Sequence, residues 1–470
     1  MLKRISAIPL TAIVVISLTL KLILFCYISP WNKDVEKEKI VVSDSWQYET
    51  LAENLLKYHS FATPSDTFNM AHFSELKLTG YLFMHPDTYR EPGYPLYLAM
   101  VYSIFGIKPF MAILFQIILS AISIIFTYKI ALLLFNNPDI AKLSILLYAF
   151  DIHSIFVANE LLTDTLLTLL FLPSIYYFLK GMKNSKWQSF AWGGLLLGLA
   201  CLTKPIVLFY PLVLLLIIYV FSTQSKSWGI KMGLLFALVC GSITSLWLVR
   251  NRVQYGHWQM TTQGENDLLL YYSSLTKQRI THDNLDSIRV KFQQRADSAG
   301  FRAEKDLFKQ ADIYKKIAFS YISDHKLAFL ITHFEGGMNM YLSVGNNGIS
   351  KTLGWDNNLN PQSFAVISSQ RILENFKKNK RETVLGILIL LIMLIEYGGA
   401  AYGIVRIYKD KYFMFIVLLL LTILYFWAIA GVLGSYRYKL PVVPFICIAA
   451  GYGYVSLLTK KKESPKRTSA

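Results

Sequence analysis

Short stretches of this chain carry side chains suited to chemistry. In "VVSDSWQYETLAENLL", Asp44 stands among aromatics and Tyr48 follows one helical turn later, so both can reach one ligand. Asp44 suits a general base or a charge stabiliser, because partial desolvation tunes a carboxylate; at the start of a helix it equally suits an N-cap. In "YREPGYPLYLAMVYSIFG", Pro92 and Pro95 bracket Gly93 and force an extended turn. That turn positions Arg90, whose planar fork can donate two parallel hydrogen bonds to a phosphate. Glu160 and Asp164 in "NELLTDTLL" are four apart, which predicts one shared helix face. Two carboxylates so placed repel unless a metal, a lysine or a substrate hydroxyl relieves them. Lys204 in "LACLTKPIVLFYP", Arg250 in "LWLVRNRVQYG" and Arg437 in "GSYRYKLPVVP" add fixed positive charge, as phosphate ligands or as interfacial anchors.

The elements that must position these residues are apolar helices. Of the 470 residues 54% are hydrophobic and 16% charged, and the charges gather in short blocks between long apolar runs. That pattern predicts an all-α polytopic membrane protein, since roughly 20 apolar residues cross a hydrocarbon core of about 30 Å. Hydropathy places ten transmembrane helices, over 8–29, 109–135, 141–157, 161–180, 190–203, 206–221, 232–249, 384–407, 413–432 and 440–458. "HKLAFLITHFEGGMNMYLSV" is the candidate for an eleventh. Amphipathic helices are expected in two extracytoplasmic loops: the first, 30–93, and the long one, 250–382. The whole chain, 1–470, then forms one module with C-terminal spans over 383–459 and a basic tail at 460–470.

Topology follows from lysine. The turns "NNPDIAK", "KGMKNSK", "TQSKSWGIK" and "RIYKDKY", and the tail, all fall in the cytoplasm if the first span runs inside to outside. Both termini are then cytoplasmic, and the first span, too long for a signal peptide and without a small-residue cleavage site, stays uncleaved. "NFKKNKRE" falls outside, in a loop longer than the roughly 60 residues over which the rule holds. With this topology Asp44, Arg90, Glu91, Asn159, Glu160, Asp164, Lys204, Arg250, Asn251, Arg437 and Lys439 all reach the outer face.

The remaining signals mainly exclude. A net charge of +17 sits in membrane-orienting turns rather than in a nucleic-acid patch, so no nucleic-acid partner is expected. Cys26, Cys201, Cys240 and Cys447 lie inside apolar runs, and His59, His72 and His85 lack metal-ligand spacing. Lys21, Lys129 and Glu396 lie inside predicted spans. No GxxxxGK, HExxH or GxSxG occurs, which removes ATP hydrolysis, zincin chemistry and the usual hydrolase folds.

The order of the motifs, from the Asp44 helix through "YREPGYPLYLAMVYSIFG", "NELLTDTLL", "GLACLTKP" and "LVRNRVQYG" to "SYRYKLPVVP", resembles the C-type integral-membrane glycosyltransferases. It is similar to the bacterial branch that includes protein O-mannosyltransferases and the aminoarabinose transferases of lipid A. The resemblance implies transfer of a sugar from a polyprenyl-phosphate donor, a membrane lipid, to a cell-envelope acceptor at the outer side of the inner (plasma) membrane. It implies Asp44 as catalytic base or acceptor-binding carboxylate, and Arg90, Lys204, Arg250 and Arg437 as grips on the donor phosphate. Family members commonly carry two neighbouring acidic residues in the first loop, whereas Ser45 follows Asp44 here. A divalent cation therefore has no secure ligand set, and Glu160 or Asp164 becomes the second carboxylate or, with Tyr48, an acceptor contact. The chemistry expected is direct displacement with inversion. The alternative, a polyprenyl-lipid flippase without chemistry, calls for polar signals near the bilayer midplane in paired repeats, whereas these charges collect at one face. A membrane scaffold fits the ordered acidic and basic motifs least.

Overall fold

In the computed structural model, which describes residues 7–41, 44–64, 84–355 and 380–463, the apolar runs expected to span are largely helical. His72 and most of the "NFKKNKRE" block lie outside the described residues. Helix α1 (Leu10–Ile28) leads through a π-helical turn, Glu36–Ile40, into α2 (Asp44–Tyr58). The face that α2 buries carries Tyr48, Leu51 and Ala52, and it packs on protein, against α3 (Gly93–Phe105). Between them β1 (Ala62–Pro64) and β2 (Met84–Pro86) form an antiparallel hairpin with Thr63 opposite His85. At 1.5 Å per residue α3 is about 20 Å long, short of a crossing.

Helix α4 (Pro109–Phe135) turns sharply into α5 (Pro138–Phe150). Asn136 closes α4 at a positive φ of 48°, Asn137 caps α5 by accepting from the amides of Asp139 and Ile140, and Pro138 takes the first helical position. The expected span 141–157 is not one helix. Asp151 leaves the helical region (ψ 114°), and its carboxylate caps the short α6 (Ile152–Val157) by accepting from the Ser154 amide at 2.7 Å. α7 (Thr163–Asn184) starts only at Thr163, so Glu160 lies in the turn before it. The shared helix face predicted for Glu160 and Asp164 is therefore corrected. Gln116 of α4 takes up the carbonyls this turn leaves free, donating to Ala158 at 3.2 Å and Glu160 at 2.9 Å.

α8 (Trp187–Thr203), α9 (Tyr210–Phe221) and α10 (Lys226–Tyr255) complete the first half. α8 packs tightly on α10 because Gly194 and Gly198 present no side chain: a Cβ there would lie 2.5 Å from the Phe236 carbonyl or 2.6 Å from Ile243 Cβ. The long loop holds α11 (Gln263–Asp267), a π-helical turn over Leu268–Ser273, α12 (Ser274–Thr281), α13 (Leu285–Ser298), α14 (Leu307–Asp324), α15 (Lys326–Leu342) and α16 (Asn346–Leu353). It has a small core of its own, in which Leu269, Ile288, Phe292, Tyr314 and Ile317 are buried, with α14 contributing a stripe at helical spacing. α17 (Lys380–Lys409), α18 (Phe413–Ala430) and α19 (Val443–Glu463) follow, with a 3-10 turn, Tyr436–Lys439, before α19.

Among the described residues six helices, α1, α4, α7, α10, α17 and α18, are long and apolar enough to cross a membrane, beside shorter apolar helices. The 17-residue α15, the candidate eleventh crossing, is not among the six.

Gly93 sets where α3 meets the end of α8. A Cβ at Gly93 would lie 2.7 Å from the Leu202 carbonyl and the Thr203 amide, both backbone atoms beside Lys204. Gly93→Ala is expected to force α3 and α8 apart and to lower stability by about 1–3 kcal/mol. A fall in the melting temperature of the purified protein in detergent checks this; an unchanged melting temperature contradicts the close packing.

Candidate functional site

The site is built around Arg90. Asp87 shapes the turn that presents it: one carboxylate oxygen accepts from the Tyr89 and Arg90 amides at 2.9 and 2.7 Å, the other from Thr63 Oγ1 at 2.9 Å. The Arg90 side chain is buried and reaches into α2. Its Nη2 donates to Asp44 Oδ1 at 2.7 Å, Nε to Gln47 Oε1 at 2.5 Å, and Nη1 to Tyr48 Oη at 3.1 Å and Gln263 Oε1 at 3.4 Å. The guanidinium also lies 4.8 Å from the Tyr48 ring centroid and 5.0 Å from that of Tyr89. A guanidinium has five N–H groups, and these contacts leave one for a ligand.

Asp44 sits in the first turn of α2 and is partly exposed. Its second oxygen lies 3.7 Å from Arg437 Nη2. Burial works against its charge, but the Arg90 and Arg437 guanidiniums together hold its carboxyl below the usual range, so it is ionised at neutral pH. The side chain of Arg437, in the 3-10 turn before α19, makes no hydrogen bond among the described residues. Burial opposes its charge too, and Asp164, Tyr438, Asp44 and Glu160 outweigh it. All of its N–H donors stay available.

Lys204 is held extended (φ −159°, ψ 116°) by the proline that follows it, which ends α8. Its Nζ donates to Asp164 Oδ1 at 2.6 Å and lies 4.2 Å from the Tyr438 ring centroid. Asp164 is buried in the first turn of α7, and its Oδ2 has no hydrogen-bond partner. Glu160 accepts from Thr352 Oγ1 at 3.1 Å and Tyr436 Oη at 3.4 Å; burial raises its carboxyl although Arg437 opposes the rise.

The fold thus brings Asp44, Tyr48, Arg90, Glu160, Asp164, Lys204 and Arg437 into one charged cluster. Arg250 stands apart from it. Its guanidinium donates to the Asp87 carbonyl at 2.9 Å, Asn251 Oδ1 at 2.8 Å and the Phe61 carbonyl at 3.4 Å, and packs on Trp247. In this position it straps the β1–β2 hairpin to the end of α10. Among the described residues no group of three or more His, Cys, Asp or Glu is arranged to hold a metal ion.

Two further carboxylates adjoin the cluster: Glu91, expected at the outer face but without a role, and Asp267. Glu91 is buried with an unpartnered Oε1, and burial against the Arg90 charge pushes its carboxyl up to about 7. Asp267, at the end of α11, is likewise pushed up to about 7 by burial, against Arg90. Glu91 lay inside a quoted motif. For Asp267 the sequence offered only an acidic residue directly before "LLLYY" in an outer loop, without a spacing that ties it to Asp44.

Residues 85–247 match the family described as dolichyl-phosphate-mannose-protein mannosyltransferase. No curated protein matches the chain. Among solved structures, the oligosaccharyltransferase of Archaeoglobus fulgidus in complex with zinc and sulfate is similar at 11% identity, with a TM-score of 0.50, over 96% of this chain and 49% of that one. The chain thus spans about half the length of that relative. The same archaeal enzyme with an inhibitory peptide and a dolichol-phosphate gives a TM-score of 0.49 at 9% identity, over 97% of this chain and 52% of that one. ArnT from Cupriavidus metallidurans bound to undecaprenyl phosphate gives 0.37 at 12% identity, over 95% and 78%. The first of these likenesses shows a fold shared with that archaeal oligosaccharyltransferase.

The Lys204–Asp164 pair makes a clean test of the cluster's energetics. Lys204→Met leaves Asp164 buried and uncompensated, which is expected to cost about 3–5 kcal/mol, whereas Lys204→Met with Asp164→Leu removes both charges at smaller cost. Melting temperatures in detergent should order as wild type, double variant, single variant; a single variant as stable as the double would mean that the pair is not buried.

Proposed function

We propose that this chain, a C-type integral-membrane glycosyltransferase by fold and family match, moves a sugar from a polyprenyl-phosphate donor to a hydroxyl acceptor of the cell envelope. The observation that carries the reading is the pairing, in one cluster, of an ionised carboxylate with two cations: Arg437, whose side-chain N–H donors are unspent, and Lys204, which spends one of its three on Asp164. Glycosyl transfer from a phosphate needs a carboxylate for the incoming hydroxyl and positive charge for the leaving oxygen. Asp44 provides the first, as base or as the group that orients the hydroxyl, with Tyr48 beside it. Arg437 and Lys204 provide the second, since Arg90 has only one N–H to spare and Arg250 is engaged by backbone carbonyls. Arg90 acts mainly by fixing Asp44. The family match, to proteins described by a dolichyl-phosphate-mannose donor, supports the donor class.

The reaction is read as a direct displacement with inversion, at an outer face of the inner (plasma) membrane, with both termini cytoplasmic. The lysine-rich turns support this orientation, because they lie at the ends of helices opposite the Asp44 cluster. A divalent cation could bind the orphaned Asp164 oxygen with the donor phosphate.

Incubating membranes that contain the protein with a panel of radiolabelled polyprenyl-phosphate sugars tests the reading. Label should move to lipid, glycan or protein with one of them. Asp44→Asn is expected to lower that rate by about 10²–10⁴-fold, and Arg437→Met by about 10²–10³-fold. No transfer from any donor, alongside exchange of the lipid between leaflets, would replace the transferase with a flippase.

A further inference from the structure

Asp267 comes from the long loop, far in sequence from every other member of the cluster, yet the structure ties it there. The Thr262 amide donates to the Thr88 carbonyl at 2.8 Å, which fastens the start of α11 to the turn that presents Arg90. Gln263, the first residue of α11, then bridges: its Oε1 accepts from Arg90 Nη1 at 3.4 Å, and its Nε2 donates to Asp267 Oδ2 at 3.4 Å. Directly after Asp267 the helix widens into the π-helical turn Leu268–Ser273. A similar turn, Glu36–Ile40, precedes Asp44, and such turns recur at functional sites.

The surroundings of Asp267 differ from those of Asp44. Asp44 faces two arginines, one of them at 2.7 Å. Asp267 forms no ion pair among the described residues and accepts one long hydrogen bond. The charged groups that face it are Arg90 from the turn before α3, Asp44 from α2 and Lys204 from the end of α8. Tyr89, Tyr438 and, on its own turn, Tyr271 and Tyr272 adjoin it. α14, which packs on α11, directs Asp312 and Lys315 to Glu265 instead.

We infer that Asp267 is the proton acceptor of the transfer, a catalytic carboxylate delivered by the long loop, while Asp44 orients the acceptor hydroxyl. The inference rests on the transferase reading above. In the step, the acceptor O–H bond breaks and its proton passes to an Asp267 carboxylate oxygen. The acceptor oxygen bonds to the sugar anomeric carbon, and the bond from that carbon to the donor phosphate oxygen breaks. Its electron pair stays on the phosphate, where Arg437 and Lys204 meet the charge. The Asp267 acid then returns its proton to water. Two carboxylates in one site divide roles when their surroundings push their proton affinities apart. The two guanidiniums make Asp44 a weak base, whereas burial leaves the Asp267 carboxyl near 7, close to the best value for a base at neutral pH.

The test is the pH profile of transfer at saturating donor, for the full-length protein in detergent, with the polyprenyl-phosphate sugar that the wild type uses. The base works deprotonated, so the wild-type rate should rise with pH to a plateau with a midpoint near 7. Asp267→Asn should lower kcat by about 10²–10⁴-fold with little change in the donor KM, and should flatten that rise. Asp267→Glu, which keeps the carboxylate and guards against a simple folding defect, should retain it. Glu91→Gln should retain it as well, since Glu91 is the other carboxylate near the same value. A wild-type kcat and profile in Asp267→Asn, or a rise that disappears in Glu91→Gln alone, overturns the inference and leaves the transferase reading standing. A wild type that transfers from no donor overturns both.

Discussion

The site depends on one buried guanidinium. Taking a charge out of water costs several kcal/mol unless partners replace the lost hydration, so a buried Arg90 dictates its neighbourhood. It gathers Asp44, Gln47 and Tyr48 from α2 and Gln263 from α11, and its own backbone amide is held by Asp87. Three segments far apart in sequence therefore have a fixed relation that none of them could hold alone. A site that must align reacting groups gains from such rigidity, because misplacement by an ångström costs rate.

Saturation of Arg90 also divides the labour among the cations. Its donors are nearly all spent on protein, and those of Arg250 go to the hairpin carbonyls, so neither is the natural partner of a large anion. Arg437 retains all of its own and Lys204 two of its three, and both stand close to acidic side chains that keep them in place. A phosphate entering between them would meet donors already oriented, which lowers the reorganisation needed as charge develops on the leaving oxygen. The orphaned Asp164 Oδ2 leaves the polar groups of the cluster organised but not fully satisfied.

Much of this was legible in the sequence. Hydropathy located the membrane helices because a stretch such as 109–135 has no other way to satisfy its side chains and its backbone together. The charged motifs at one end were legible for the same reason: a carboxylate or lysine at such a depth is costly and stands out. Spacing failed where one residue bent the chain. Asp151 caps a new helix within an apolar run, and Glu160 falls in the turn that follows, so a separation of four did not mean one helix face. Arg250 read as a site cation because its type and end of the bundle were right; only the carbonyls of Phe61 and Asp87 reveal that it is a strap. Asp267 was missed because its relation to Asp44 runs through Gln263 and Thr262, a tertiary contact that leaves no periodicity.

The turn that carries Arg437 is braced from beneath by charge as well. Two residues on, Lys439 is buried, with Nζ 3.3 Å from Tyr397 Oη and 3.4 Å from the Tyr341 carbonyl. Near it lie Asp151, 3.8 Å from His153, and Glu396 of α17, all of them buried. Lys21 of α1, in turn, donates to Ser120 at 2.8 Å. Well-packed apolar side chains would stabilise such a region at least as well, so stability alone does not call for these groups. What they add is register: in a 3-10 turn, residues two apart point to different sides, and pinning Lys439 inward leaves Arg437 facing Asp44. The inner network thereby sets the direction of a side chain that itself makes no hydrogen bond among the described residues.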